Sequence, residues 1–350
     1  MFQSLGWVRA VWDFEVARNN AAFSPFIVLA YRGESLIGAL PMELVSTGMR
    51  RVLVPIGYAF SQIANALVAA EEDAETVVRQ LIDATKSKIA SDTLLFTKVR
   101  SGSSLYKGLP ADHVKTAETL GAPVAELSDY PDFAAYFRTV RPKTRKNIRN
   151  ARNRLEREAT LSHHVVDDAG QQLALIERTL SSRDQRLKEQ GLTSRAFGTR
   201  HFQDFCASLV GNPDLSITGF SLVHGQNFLA EQWGFTHGDR YYAYVAARDF
   251  SQSDESPGKM HLAEITQACA DRGLDACDLG IPTMPYKLTW ATQVVGVHDI
   301  AIPLTARGKL IVRVWDVWLR PNLKALVLRT PPALRVKVMR FFGRNKDQKP

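Results

Sequence analysis

"SPGKMHLAEITQACADRGLDACDLG", residues 256–280, reads as a helix with an abrupt start, closed by a glycine and followed by a short strand. Ser256 stands where it can cap the helix, and Pro257 occupies the first helical position, where its missing N–H is tolerated. Gly258 lets another group approach the backbone closely, and Lys259 adds positive charge beside the unpaired N–H groups of the first turn. Such an end suits a phosphate, which meets both the donors and the helix dipole. An ordinary helix cap uses the same residue types. The helix runs to about Asp271, Gly273 closes it, and "DACDLG" is the strand.

Upstream, "LSITGFSLV" (215–223), "NFLAEQWGF" (227–235) and "RYYAYVAA" (240–247) are three strands. They are joined at His224-Gly225-Gln226-Asn227 and at Gly238-Asp239, residue types that make tight hairpins. A strand at Leu161–Val166 and helices over about 169–190 and 198–210 precede them. A short helix near Tyr286–Ala291 and the strand "VHDIAIPL" (297–304) follow. From residue 161 the order is β-α-α-β-β-β-α-β-α-β.

Before this run lies "RPKTRKNIRNARNRLERE", residues 141–158, with seven Lys and Arg among the fifteen positions from Lys143 to Arg157. Ile148, Ala151, Leu155 and Ala159 recur every three or four residues, so one narrow helical face packs and the cations surround it. In the first half, "PFIVLAYRG", "SLIGALPMELV" and "RRVLVPIG" read as an antiparallel meander. A helix with Val77, Leu81 and Ile82 on its stripe follows, and then the strand "TLLFTKV".

The 350 residues are 45% hydrophobic and 23% charged, an ordinary globular composition that allows two domains. The net charge is +8, but from Arg307 onward 12 Lys and Arg stand against 2 Asp, leaving 32 basic against 34 acidic residues before it. The body is nearly neutral and the tail holds the excess, which weighs against a nucleic-acid-binding body. Cys206, Cys269 and Cys277 form no CxxC and have no histidine at metal spacing, so neither a disulfide framework nor a metal site is expected. Arg9, Asp13 and Glu15 interrupt the N-terminal stretch where a signal peptide needs apolar residues, and no apolar run of about 18 residues occurs. The expected location is cytoplasmic.

Taken in order, Ser256-Pro257-Gly258, Gly273, Asp278-Leu279-Gly280 and Tyr286-Lys287 with Trp290 resemble the GNAT-type N-acyltransferases. Locally they resemble the CelD/BcsL-type acetyltransferases of bacterial polysaccharide (cellulose and exopolysaccharide) biosynthesis, and more distantly the FemAB peptidoglycan aminoacyltransferases. The resemblance spans roughly residues 1–305 and is strongest over 140–295. It implies an α+β fold of tandem GNAT-like units with mixed, mainly antiparallel sheets and a C-terminal helical basic tail. The implied domains are 1–140, 141–306 and 307–350. The implied reaction moves an acetyl or similar acyl group from acetyl-CoA, as donor substrate, to a saccharide or lipid-linked saccharide. The chain departs from the family at Ile281-Pro282-Thr283-Met284-Pro285, where members usually carry a Gly followed by acidic residues.

Acyl transfer needs a phosphate cradle, a donor to the carbonyl, a base for the acceptor and an acid for the leaving group. Ser256, Pro257, Gly258 and Lys259 are the candidate cradle. Tyr286 is the candidate acid, since the resemblance implies a tyrosine on this helix facing the CoA sulfur; a packed aromatic would look the same. Lys287 can tune the phenol or contact phosphate, or be a solvated lysine. Glu231 lies in an apolar central strand, where burial would raise its pKa toward that of a useful base; the other reading is a glutamate paired with an arginine. Tyr242 and Tyr244 share one face of the next strand and can line the acyl slot, or be stacked sheet aromatics.

No Gly-x-Ser-x-Gly, Walker loop or HExxH is present. The basic helix reads as an inter-domain connector whose exposed Arg residues line a groove for an anionic acceptor or CoA, or as a solvated surface helix. In the tail, Lys309, Arg313, Asp316 and Arg320 form a polar stripe. Leu310, Ile311, Val314, Trp315, Val317 and Trp318 form an apolar remainder, with Trp315 and Trp318 expected to pack on the body. The last twenty residues are expected on an anionic membrane surface. Two other readings stay open: FemAB-like transfer of an aminoacyl group from charged tRNA to an amine, and a catalytically degenerate membrane-associated scaffold.

Overall fold

The computed structural model describes residues 1–48, 50–117, 119–192, 194, 196–248, 257–331 and 335. In chain order the first elements are α1 (Leu5–Ala17), β1 (Pro25–Arg32), β2 (Ser35–Thr47), β3 (Arg50–Pro55), β4 (Leu67–Val68), α2 (Ala74–Lys88), β5 (Thr93–Arg100), α3 (Ser104–Lys107) and β6 (Val114–Lys115). Then come β7 (Leu120–Glu126), α4 (Phe133–Thr139), α5 (Pro142–Glu158), β8 (Leu161–Val166), α6 (Ala169–Glu189), α7 (Arg200–Ser208), β9 (Ser216–His224), β10 (Asn227–His237) and β11 (Arg240–Arg248). The remainder is α8 (Pro257–Asp271), β12 (Ala276–Asp278), α9 (Pro285–Leu288), β13 (Gln293–Pro303), α10 (Ala306–Ile311), a π-helical stretch Val312–Leu319 and α11 (Arg320–Arg329).

By compactness the described chain divides into a unit of Met1–Leu120 with Gly296–Pro331, and a unit of Gly121–Val295. In the first, β1, β2 and β3 form the antiparallel meander that the sequence suggests, and β5 returns parallel to β3, with Val52 opposite Thr93. The crossover between β3 and β5 runs through α2. Asp73 caps that helix by accepting from the Thr76 N–H, and its buried face is Val77, Val78, Leu81, Ile82 and Thr85. These side chains meet Leu40, Met42, Leu53, Leu94 and Phe96 in one core. Gly38 on β2 is required there: a Cβ would lie 2.5 Å from Val77 Cγ1.

The second unit repeats the plan. β9, β10 and β11 are antiparallel neighbours, α8 crosses over, and β12 returns parallel to β11, with Tyr241 opposite Cys277. Its core holds Phe220, Leu222, Tyr241, Met260, Ile265, Cys269, Cys277 and Trp290. Both units therefore show meander, helix and parallel strand in the same order, the tandem α+β arrangement with mainly antiparallel pairing. The basic helix α5 belongs to this second core through buried Ile148, Ala151 and Leu155, as its periodicity indicates. It is tied to α8 by the Arg152–Glu264 ion pair.

The tail corrects one expectation. Trp318 is 63% exposed, whereas Asp316, a member of the polar stripe, is buried. Asp316 faces the first unit because Arg50 meets it there, Nη1 to Oδ2 at 2.5 Å and Nη2 to Oδ1 at 3.0 Å. A buried carboxylate with a bidentate guanidinium partner outweighs the pull of the indole toward the core. The expectation for the last twenty residues falls, apart from Pro331 and Arg335, outside the described residues.

Candidate active site

Three pieces of the second unit converge around the short helix α9. The first is the end of β12, where chain direction is reversed by Gly280 at φ +68°. The Gly280 N–H donates to Asp278 Oδ1 at 2.9 Å, and Lys287 Nζ donates to the Gly280 carbonyl at 3.0 Å. Asp278, Gly280 and Lys287 are thus knitted into one turn. The cis Ile281–Pro282 bond and Thr283, whose hydroxyl donates to the Gly121 carbonyl at 2.8 Å, carry the chain from Gly280 to α9. Trp290 closes the piece: it is buried, stacks on Phe137 at 6.0 Å, and its carbonyl accepts from the Tyr136 hydroxyl.

The second piece is the start of α8. Ser256 lies outside the described residues, while Pro257 is buried at the first position of the helix. Among the described residues a Cβ on Gly258 would meet only Arg248, at 3.7 Å from Cδ and 4.0 Å from Nη1. The last residue of β11 therefore brings a guanidinium over the opening of the helix, beside Gly258. Lys259 follows on the same first turn, half-buried.

The third piece is the C-terminal half of α6, which carries Arg183 and Arg186 three residues apart on neighbouring positions of one helix face. Their charges, with that of Arg248, act on α9. Burial pushes the Tyr286 phenol up, and Arg183, Arg248 and Arg186 pull it back. Burial also lowers the Lys287 ammonium to about 8, with the Asp278 carboxylate opposing the shift and Arg183 adding to it. Arg186 itself lies below the usual guanidinium range, first by desolvation and then through Arg248 and Arg183. Arg183 also stands over the Phe197 ring at 5.3 Å.

Tyr286, Lys287, Gly258 and the start of α8 are thus brought into one neighbourhood. The three arginines complete it, and sequence reasoning passed over them. The available signal was the i, i+3 spacing of Arg183 and Arg186 and the position of Arg248 where a strand ends before the helix opening.

The other candidates have different surroundings. Glu231 is buried, and both of its oxygens are engaged: Oε1 accepts from Arg178 Nη2 at 2.7 Å and from the Ser221 hydroxyl at 3.0 Å, and Oε2 accepts from Arg178 Nε at 3.1 Å. The Arg178 guanidinium carbon itself stands over the Phe228 ring at 4.0 Å from its centroid. This is the arginine-paired setting that the sequence left open. Tyr244 is buried among Trp233, Phe235 and Phe202, at centroid distances of 4.9, 5.3 and 6.2 Å, and that burial drives its phenol well above the ordinary range. Tyr242, two residues earlier, pairs with Asp278 of β12 and with Phe235 of β10.

Chemically, the neighbourhood combines a phenol that stays protonated at neutral pH with an amine that exchanges its proton near neutral pH. Guanidinium groups and a helix start surround them, and both favour anions. A proton donor, a proton acceptor and a place for phosphate are the parts that acyl transfer uses.

Residues 142–288 match the family model described as an acetyltransferase (GNAT) domain, so this segment is an acyltransferase domain and the chain an enzyme of that class. No curated protein matches the chain. Among solved structures the chain is similar to FemX, at 9% identity and a TM-score of 0.62, over 90% of this chain and 94% of that one. It is also similar to the C-terminal DUF2156 domain of a putative lysylphosphatidylglycerol synthetase from Agrobacterium fabrum, at 12% identity and a TM-score of 0.54, covering 88% and 94% of the two chains. A conserved protein of unknown function from Bacteroides thetaiotaomicron is similar at 15% identity and a TM-score of 0.50, with 86% and 90% covered. At these identities the likeness concerns the fold.

Proposed function

We propose that this acyltransferase takes its acyl group from a phosphate-bearing carrier, and that the FemAB-like reading, transfer of an aminoacyl group from charged tRNA to an amine, is the better supported. The observation that carries it is the likeness to FemX along 90% of this chain, which takes in both units. The surface of α5 agrees with it. Lys143, Lys146, Arg149 and Arg157 are exposed, while the apolar side of the helix is inside the core. Exposed cations on a rigid helix suit a polyphosphate backbone.

The second reading is acyl transfer from acetyl-CoA to a saccharide acceptor, in the manner of the CelD/BcsL-type enzymes. It is favoured by the match of residues 142–288 to an acetyltransferase model. Either donor uses the same residues. We assign Pro257, Gly258, Lys259 and Arg248 to hold phosphate at the start of α8. The acceptor nitrogen or oxygen attacks the carbonyl carbon, its proton passes to the neutral Lys287 amine, and the bond to the carrier breaks as Tyr286 delivers a proton to the leaving oxygen or sulfur. Glu231 fixes Arg178 between α6 and the sheet. In this proposal the unit of Gly121–Val295 is catalytic and the unit of Met1–Leu120 with Gly296–Pro331 is its companion.

Binding of charged tRNA and of acetyl-CoA, each measured by calorimetry at two salt concentrations, separates the readings. Binding of tRNA that weakens steeply with salt, together with indifference to acetyl-CoA, supports the first. Salt-tolerant binding of acetyl-CoA alone selects the second. Gly258→Val is the control, because its side chain enters the space over the helix start where, among the described residues, a Cβ would approach Arg248 at 3.7 Å. Loss of donor binding is expected in this variant, and unchanged binding would relocate the cradle. Tyr286→Phe is expected to keep donor binding and lower turnover; normal turnover removes Tyr286 from the mechanism.

A further inference from the structure

The helix that ends the first unit has two faces of opposite character. Gly308, Val312 and Asp316, spaced by four, turn toward the unit and are buried. A Cβ on Gly308 would stand 2.0 Å from the Asp92 carbonyl oxygen, so the contact on that side is close. Arg50 anchors the next turn through Asp316. On the opposite side Leu310 is 65% exposed and Trp318 63%, with Val314 and Val317 exposed between them. Farther along, Leu323, Leu326 and Val327 of α11 are exposed as well. A run of apolar side chains of this length is not ordinary solvent surface.

Charge indicates what covers it. From residue 306 to 331 the chain carries six cations, Arg307, Lys309, Arg313, Arg320, Lys324 and Arg329, and one acid, Asp316. That acid is buried against Arg50, so it does not offset the positive surface. Cations and an indole flanking an apolar helix face match a bilayer interface, where the rings and aliphatic carbons enter the headgroup boundary and the cations meet lipid phosphates. A second copy docked face to face would bring two such sets of cations together. The segment that follows is like-charged too, with Arg335, Lys337, Arg340, Arg344, Lys346 and Lys349 against Asp347.

We infer that residues 306–329 form a membrane-surface helix that lays Leu310, Val314, Trp318, Leu323 and Leu326 into the headgroup layer of an anionic bilayer. Among the described residues no helix is long and apolar enough to cross a membrane, so this element lies on the surface. The inference holds for either donor, because none of these residues belongs to the candidate active site.

The test is co-sedimentation of the full chain with phosphatidylcholine vesicles, with and without phosphatidylglycerol. Wild type is expected to bind the anionic vesicles, to bind them less as salt rises, and to blue-shift its tryptophan emission on binding. Leu310→Asp/Trp318→Asp changes two exposed positions and is expected to reduce vesicle partitioning at least tenfold with an unchanged urea midpoint. A chain truncated after Arg329 is expected to retain binding. Wild-type binding in the double variant would overturn the inference and assign the membrane contact to another segment. Absence of binding in the wild type, or a wild-type dimer that the double variant dissociates, would overturn it too, the latter in favour of a second copy as the occupant.

Discussion

Titration of Lys287 measures the electrostatics of the candidate site without knowledge of its substrate. Burial lowers the ammonium from 10.5 to about 8. At pH 8 roughly half of the side chain is therefore free amine, where an ordinary lysine holds on the order of 0.3%. The unfolded chain keeps this proton up to about pH 10.5 and the folded chain only up to about 8. Stability therefore rises with pH between those values. Below pH 8 the folded state carries the full cost of the charge, about 2–3 kcal/mol at roughly 1.4 kcal/mol per pH unit, reduced for residual contact with water. Asp278 opposes the shift, so Asp278→Asn removes an attraction and moves the midpoint further down; the amide oxygen still accepts the Gly280 N–H. The assay is competitive labelling with acetic anhydride from pH 6 to 11, with each lysine-containing peptide quantified by mass spectrometry. The expected midpoint is about 8 for Lys287 in the wild type and lower in Asp278→Asn. A midpoint near 10.5, or an upward move in the variant, would refute the reasoning and remove Lys287 from proton transfer at neutral pH.

Two further outcomes follow from the first unit. Burial raises the Glu43 carboxyl to about 7, the Gly57 N–H pulls it back, and Glu15 pushes it further up. The folded state holds this proton to about pH 7 while the unfolded chain releases it near 4.5, so stability falls by about 3 kcal/mol as pH rises across that window. Glu43→Gln is expected to flatten the dependence in urea unfolding between pH 5 and 8; a slope equal to that of the wild type rejects the assignment. Asp316→Ala leaves Arg50 buried without its carboxylate and is expected to cost about 3–5 kcal/mol, most of it recovered in Arg50→Met/Asp316→Leu. A loss under about 1 kcal/mol would show that water takes the place of the carboxylate.

Much of the site was legible in the chain because its signals are short-range. The opening of α8 is written in Pro257 and Gly258, the end of β12 in Asp278 and Gly280, and the meanders in alternating apolar residues separated by turn glycines. Each depends on backbone geometry within a few residues. Tyr286 and Lys287 could be located in the same way, by their distance from that strand end. Arg183 and Arg186 could not, because on α6 alone they look like solvated helix cations; only the folded chain brings them near enough to α9 to act on Tyr286.

Long-range charge decided the rest. Glu231 could be placed in mid-strand from sequence, but its partner Arg178 lies 53 residues away. The tail helix shows the same limit more sharply. Periodicity separated its apolar and polar stripes without saying which one turns inward, and the partner that decides it, Arg50, is 266 residues from Asp316. Sequence determined the elements and their order, since capping, turns and periodicity are local. Tertiary structure decided which faces are buried and which groups share a field, since the cost of burying a charge depends on what the fold brings beside it.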